Sequence, residues 1–467
     1  MPGDGHAGCG RRSGETHWWQ HQQGVPGRPH THLAQRRGFR EYLTGLLAPR
    51  DRNKTLTCLA GAEPVVGSKD AAVQRLQFFV SESCWDPDAV NGRRLEELLA
   101  DPATAPHPDG VLVIDDSGDR KDGTQTAFAG RQWLGRIGKT DNGIVTVTAV
   151  WADERLYYPV HAEPYCPAHR LSGGKKDPAF HTKWWLAADL AARAAEDGFS
   201  FRAVAGDCAY GDIDDFRAEL RAAGLPFVVA VRPRRGTWAR EPAAHTPREA
   251  AARLTWHGPE APGDWTAVER RFRDGRTATW WTADLTLGGW GPDAPTRLVV
   301  ATTDPAALPE KATWYLATNL PRPGGPRDPE HGGEGEHPAA GPAELVRIYG
   351  LRIWIEQSYK QVKDELGWAD FQVRSALAIR RHQVLVHCAF TFCWLADRTA
   401  QEAVRGALPT AERTERGRRR APPAPPIPRH SRDAQLAGRP AGRPLLARPG
   451  RGTHPLVEQL VRQAPAP

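Results

Sequence analysis

VLVIDDSGDRKDG, residues 111–123, begins as a β-branched apolar run and passes directly into acids and glycines. A short apolar run bounded by turn residues is a buried strand, here expected to close at Asp115 and Asp116 with DSGDRKDG as the turn after it. FRAVAGD, 201–207, repeats the pattern and closes on Asp207. Between the two, IVTVTAV (144–150) and RLYYPVH (155–161) read as neighbouring strands, and HTKWWLAADLAARAAEDG (181–198) as an amphipathic helix stopped at Gly198. A helix at about 212–223 and the strand PFVVAVR (226–232) continue the alternation. Strands interleaved with helices give a layered α/β sheet, and acids at the carboxyl ends of adjacent strands converge at one edge of it.

A second stretch supplies a partner for those acids. YGLRIWIEQSYKQVK, 349–363, spaces Tyr349, Arg352, Glu356 and Lys363 three, four and seven residues apart. On one continuous helix turning about 100° per residue, the four fall within an arc of about 60°. One acid among two cations and a phenol packs poorly in a core. It suits a grip on a phosphodiester beside a metal, because Arg and Lys neutralise phosphate while a carboxylate holds the cation. Asp115 or Asp116, Asp207 and Glu356 are the carboxylates that would meet. Only one of the adjacent pair can enter the site, since neighbouring strand residues point to opposite faces. Three oxygen donors suit Mg²⁺ or Mn²⁺, and two such ions about 3.5–4 Å apart would activate a water or a 3′ hydroxyl.

Composition narrows the class. The 467 residues carry a net charge of +7, with a sequence pI near 9.1, which favours a polyanionic partner. Seven cysteines, odd in number and without a C-x-x-C pair, argue against a disulfide framework and a zinc ribbon. Cys166-Pro-Ala-His169 has half of a zinc spacing and no second half. No run of about 18 apolar residues or signal-peptide h-region is present, so a cytoplasmic protein without membrane contact is expected. GDGHAG, RPGGP and GGEGE lack the strand before and helix after that a phosphate-binding glycine loop needs.

The flanks differ from the middle. Residues 1–30 hold hardly an aliphatic and read as disordered; 31–108 form short amphipathic stretches, a small helical domain expected to bind DNA. The core's first part spans 109–235. From about Trp238 to Asn319 the pattern is all-β, an insertion domain over 236–320, followed by the Pro/Gly/acid stretch 321–342, read as a flexible loop. The core resumes over 343–402, where SALAIRRHQVLVHCAFTFCWLADRTA (375–400) is a mostly apolar helix. From 403 a basic tail is expected to be disordered; from Ala421 it holds eleven prolines and seven arginines against two acids.

The whole resembles the DDE transposases of bacterial insertion sequences. Tyr349-x2-Arg352-x3-Glu356-x6-Lys363 matches the Y-R-E-K signature of the cut-and-paste group. IDDSGDRKDG, RQWLGRIGKTDNG, RLYYP, HTKWWLA, AGDCAYGD and FQVRS look like its insertion-sequence 701-like branch, across residues 40–400. The resemblance implies a ribonuclease H-like catalytic core with an all-β insertion, preceded by a small helical domain. It implies catalytic, metal-holding roles for Asp116, Asp207 and Glu356, with Asp115 as the alternative to Asp116. It also implies phosphate contacts from Tyr349, Arg352 and Lys363, with Lys121, Lys139, Arg131 and Lys183 in matched stretches as further candidates. Trp280, Trp281 or Trp290 in the β insertion would stack on a flipped base, or pack across strands. The expected activity is Mg²⁺-dependent DNA transposition, with two ions, by end cleavage and strand transfer. The expected partners are terminal inverted repeats and target DNA, with a dimer in the synaptic complex. Ser117 stands where the branch usually has Thr, and residues 1–30 and those after Thr399 match nothing. The rival readings are a catalytically idle, domesticated or decayed DNA-binding relative, and a metal-dependent nuclease that cleaves without joining.

Overall fold

A computed structural model describes residues 29–234, 246–272, 275–287 and 296–407. The expectations for residues 1–28, Trp290 and the tail beyond 407 lie outside the described residues. Four helices come first: α1 (Pro29–Leu47), α2 (Leu56–Leu59), α3 (Ala71–Ser81) and α4 (Pro87–Ala100). Then follow β1 (Val111–Arg120), β2 (Gly130–Leu134), β3 (Lys139–Ala152), β4 (Tyr157–Pro164), α5 (Lys183–Glu196), β5 (Ala203–Gly206), α6 (Cys208–Gly211), α7 (Asp214–Ala222) and β6 (Phe227–Ala230). A short helix α8 (Pro247–Ala251) precedes β7 (Thr266–Arg271), β8 (Thr277–Leu287), β9 (Thr296–Thr302) and β10 (Thr313–Thr318). The described residues close with α9 (Pro342–Gly350), α10 (Ile353–Asp364) and α11 (Ala376–Ala407), so residues 403–407 of the expected tail are helical.

Among the described residues all ten strands join one mixed sheet in the order β2-β3-β1-β5-β6-β10-β9-β8-β7, with β4 beside the second half of β3. Its centre, β1-β5-β6, is parallel; everything outside it is antiparallel. The central strands are buried on both faces, as parallel strands covered by helices must be. Strands β7 to β10 continue this sheet through the β10–β6 pair, and α8 lies among them.

Two local expectations change. β1 does not stop at Asp116: it runs to Arg120, because β3 pairs with it from Val111↔Ala152 to Arg120↔Gly143. The acids therefore sit in mid-strand, where the parallel neighbour β5 has ended and the antiparallel neighbour has not. The stretch 321–342 is tied down. Arg202 donates to the carbonyls of Pro338 and Ala339, and Arg297 to those of Leu320, Pro321 and Ala340. Asp328, buried, accepts from the backbone N–H of Gly324 and Glu330. Arginine donors satisfy carbonyls that composition alone assigns to solvent.

Helix α5 shows how sequence places one cover of the sheet. Thr182 caps it by accepting from the Trp185 N–H at 3.3 Å, and Gly198, at φ 89°, ends it. Leu186, Ala187, Leu190, Ala191 and Ala194 bury the face between, against β1, β3 and β4. α9 and α10 pack against the sheet as well, and α11 packs on α1, α3, α4 and β4.

A buried histidine on α11, His382, ties α1 to the core. His382 accepts or donates at 2.8 Å with the Tyr42 hydroxyl of α1 and lies 3.2 Å from the Gly367 carbonyl. Burial pushes its pKa down to about 4, so the folded chain resists a proton that the unfolded chain accepts near pH 6.5. Stability contributed by neutral His382 is complete above pH 6.5 and is lost as pH falls from there through about 4, by roughly 3 kcal/mol. Thermal melts between pH 7 and 4 should show this slope, and His382→Gln should flatten it. An unchanged slope in the variant assigns the acid sensitivity elsewhere.

Candidate active site

The parallel register decides which acids meet. Ile114 pairs with Gly206, so the next residues along the two strands, Asp115 and Asp207, leave the ladder together and on one face. Asp207 then caps α6, its Oδ1 accepting from the Ala209 N–H at 2.8 Å. α6 cannot drift, because a Cβ on Gly211 would lie 1.9 Å from the Ala230 carbonyl oxygen of β6. Only glycine permits that approach.

The third acid arrives from the break between α9 and α10. The expected continuous helix over 349–363 is two helices: α9 ends at Gly350, and Leu351 and Arg352 pass through a tight turn with i→i+3 bonds such as Arg352 N–H to Tyr349 carbonyl, 3.1 Å. Tyr349 therefore belongs to a different helix from Glu356 and Lys363, and the single stripe does not form. Arg352 sits at the corner instead. One of its terminal nitrogens lies 3.0 Å from Asp115 Oδ2, 3.5 Å from Asp207 Oδ2 and 3.7 Å from Glu356 Oε1. Three carboxylates from β1, β5 and α10 thus surround one guanidinium.

Asp116 does not join them. It points to the opposite face, where Lys183 Nζ of α5 lies 3.1 Å and the Tyr210 hydroxyl 3.3 Å from its Oδ2. Asp116, expected to supply the first carboxylate, lies on the other face by strand alternation; the face that carries Arg352 takes Asp115, Ser117 and Asp119.

Electrostatics mark the same group. Burial pushes the Asp115 carboxyl up to about 8; Arg352 pulls it back, and the charges of Asp207 and Asp116 push it further up. Arg352 is held above its ordinary value by Asp115, Tyr349, Asp207 and Glu356, against burial that opposes it. Asp115 Oδ1 accepts the Asp116 N–H at 2.8 Å, and its carbonyl accepts the hydroxyl of Tyr359, a residue sequence reading passed over. One guanidinium shared by three acids leaves the cluster short of positive charge. The donors are hard oxygens of the kind Mg²⁺ or Mn²⁺ takes. They are gathered but not closed: among the described residues no three Asp, Glu, His or Cys side chains stand as a formed metal cage, Cys166 and His169 included.

The expected phosphate-binding cations divide. Lys363 is buried, its ammonium donating to Ser117 Oγ and Asp119 Oδ1, both at 2.6 Å, and to the Gly118 carbonyl at 3.4 Å. An ammonium has three donors, and all three are taken within the fold. Lys121 donates to the carbonyls of Ala369 and Phe371 and stands over the Phe371 ring, with burial pushing its pKa down to about 8. Lys363 holds α10 to β1, and Lys121 holds the residue after β1 to the chain after α10. Lys139 and Arg131 are exposed on the β2–β3 hairpin, Lys139 3.4 Å from Asp141. Tyr349 meets Trp314 edge-on, with centroids 4.8 Å apart, and its hydroxyl is pushed up to about 12 by burial. Trp280 is buried against Trp314, and Trp281 packs on Trp256. Asp119 also escaped the sequence reading; the signal was its i+4 spacing from Asp115, visible once the strand is known to continue.

A mixed sheet with two acids just past the paired stretch of its parallel strands β1 and β5, and a third acid on a facing helix, is the arrangement of the nuclease-type DDE class. A family model described as a DDE superfamily endonuclease matches residues 29–285. A probable transposase for insertion sequence element IS701, from Microchaete diplosiphon, is 32% identical over 301 residues, covering 64% of this chain and 68% of the relative. The chain belongs to the DDE superfamily, as an IS701-like transposase. DNA is the partner such a family implies, and divalent metal ions its cofactor. Among the described residues, no helix is long and apolar enough to cross a membrane.

Proposed function

We propose that the chain catalyses cut-and-paste DNA transposition, with Asp115, Asp207 and Glu356 as the acids that hold two Mg²⁺ or Mn²⁺ ions. The observation that carries this reading is the gathering of those three carboxylates, from three elements distant in sequence, on one side of the sheet around Arg352. Bound there, the ions would polarise the scissile phosphate and lower the pKa of the attacking hydroxyl.

The protein's own part is positioning and charge. Asp115 and Asp207 are rigid because each has one oxygen fixed by a backbone N–H, leaving Oδ2 of each toward the centre. Glu356 is about half exposed on the first turn of α10. Arg352 neutralises the acids until the cofactor and a phosphate share that charge; its guanidinium then suits a phosphate oxygen, as does the Tyr349 hydroxyl beside it. Lys183 holds Asp116 away, so one strand presents one acid to each face.

In the same reading the N-terminal helices recognise transposon-end DNA, the core around 109–235 and 343–402 is ribonuclease H-like, and strands β7 to β10 form the β insertion. The enzyme acts in the bacterial cytoplasm, and two ends synapse on a dimer. A duplex carrying the sequence that borders the encoding element tests it. Purified protein should nick that duplex only with Mg²⁺ or Mn²⁺ and join the 3′ end to a second duplex, while Asp207→Ala binds without nicking. Salt-sensitive binding with no nicking under any metal supports the idle DNA-binding relative; nicking without joined products supports a nuclease.

A further inference from the structure

Strand β7 brings a cation to the active-site side of the sheet that no motif singles out. Arg270 Cζ lies 4.4 Å from the ring centre of Trp314, 4.8 Å from that of Trp280 and 4.6 Å from that of Phe272. Guanidinium against aromatic faces is an attractive arrangement, and it immobilises the group. Stacking uses the faces of the guanidinium and leaves its five N–H donors at the rim. Among the described residues no carboxylate or carbonyl is recorded accepting from them, and burial alone pushes the group's pKa down, with no acid offsetting it.

Its neighbours place it. Trp314, one wall of the stack, meets Tyr349 edge-on, and Tyr349 stands in the field of Arg352 and Asp207. The backbone of Gly350, two residues before Arg352, is adjacent: a Cβ there would sit 3.8 Å from Arg270 Nε. A half-buried cation with open donors, fixed beside a site for a polyanion, lacks only its anion.

We infer that Arg270 binds a backbone phosphate of the DNA strand held at the active site, with Trp280 and Trp314 as the platform that fixes its guanidinium. This rests on the reading of the chain as a DNA-processing DDE enzyme, and extends its DNA contact from the α9–α10 corner onto β7.

The test measures binding, so it does not depend on turnover. Fluorescence anisotropy of a labelled duplex carrying the element's border sequence, read over a salt series, should show the slope of log Kd against log salt reduced by about 0.9 in Arg270→Gln, the signature of one lost phosphate contact. Arg270→Lys should restore the slope, since it keeps the charge. Arg155→Gln, exposed at the β3–β4 turn, should leave it unchanged. A methylphosphonate walked along the duplex should then find one position where neutralising the phosphate weakens the natural protein and not Arg270→Gln. A natural slope and an unaltered methylphosphonate pattern in Arg270→Gln overturn the inference while leaving the DDE reading intact. Absence of salt-dependent binding by the natural protein overturns both.

Discussion

Asp115→Asn should lower metal-dependent nicking by about 10³-fold or more, while Asp116→Asn leaves most of it. A lost charge-stabilising group in a water-poor site costs on the order of 3–4 kcal/mol of transition-state stabilisation, and a metal ligand costs at least as much. Asn keeps the shape of Asp115 and removes the oxygen that would hold a metal ion beside Asp207 and Glu356. At Asp116 the same change weakens only the contacts to Lys183 and Tyr210 on the opposite face. DNA affinity should persist in both variants, separating loss of chemistry from loss of binding. Gel assays of nicked product, with both variants at matched DNA occupancy, decide it. Equal collapse at both positions, or collapse at Asp116 alone, means the strand presents its other face to the substrate.

Lys363→Ala should destabilise the fold by about 3–5 kcal/mol, because it strands a buried carboxylate. Lys363 and Asp119 are 4% and 7% exposed and 2.6 Å apart, and the pair links α10 to the far half of β1. A lower melting midpoint and higher urea sensitivity are the readouts. The double variant Lys363→Met with Asp119→Leu should recover much of the loss, since it leaves no charge unpaired. If Lys363→Ala melts like the natural protein and loses DNA affinity instead, the lysine contacts phosphate, as its motif position suggested.

These two cases show where reading the chain stops. The elements β1, β3, β4, α5, β5, α7 and β6 and the apolar helix α11 were legible, and β2 and α6 were not, because period-2 and period-3.6 patterns report which side of a longer segment is buried. The ends were less so. β1 runs through polar residues because β3 lines up beside it, and pairing is invisible in a strand's own composition. Nor did Y-R-E-K spacing reveal the break after Gly350: an arc computed on one helix assumes that the helix continues.

From its residues alone this chain declared an α/β protein built for a polyanion, with acids at the ends of two strands and a third beside paired cations; side-chain chemistry and short-range periodicity carry that much. Separating Asp115 and Asp116 onto opposite faces, and finding Lys363 buried and Lys121 partly buried while Arg270 keeps its donors open, belonged to the tertiary structure. Which face of a strand meets a helix depends on its register with distant segments, and burial decides whether a charge is used within the fold or left for a ligand.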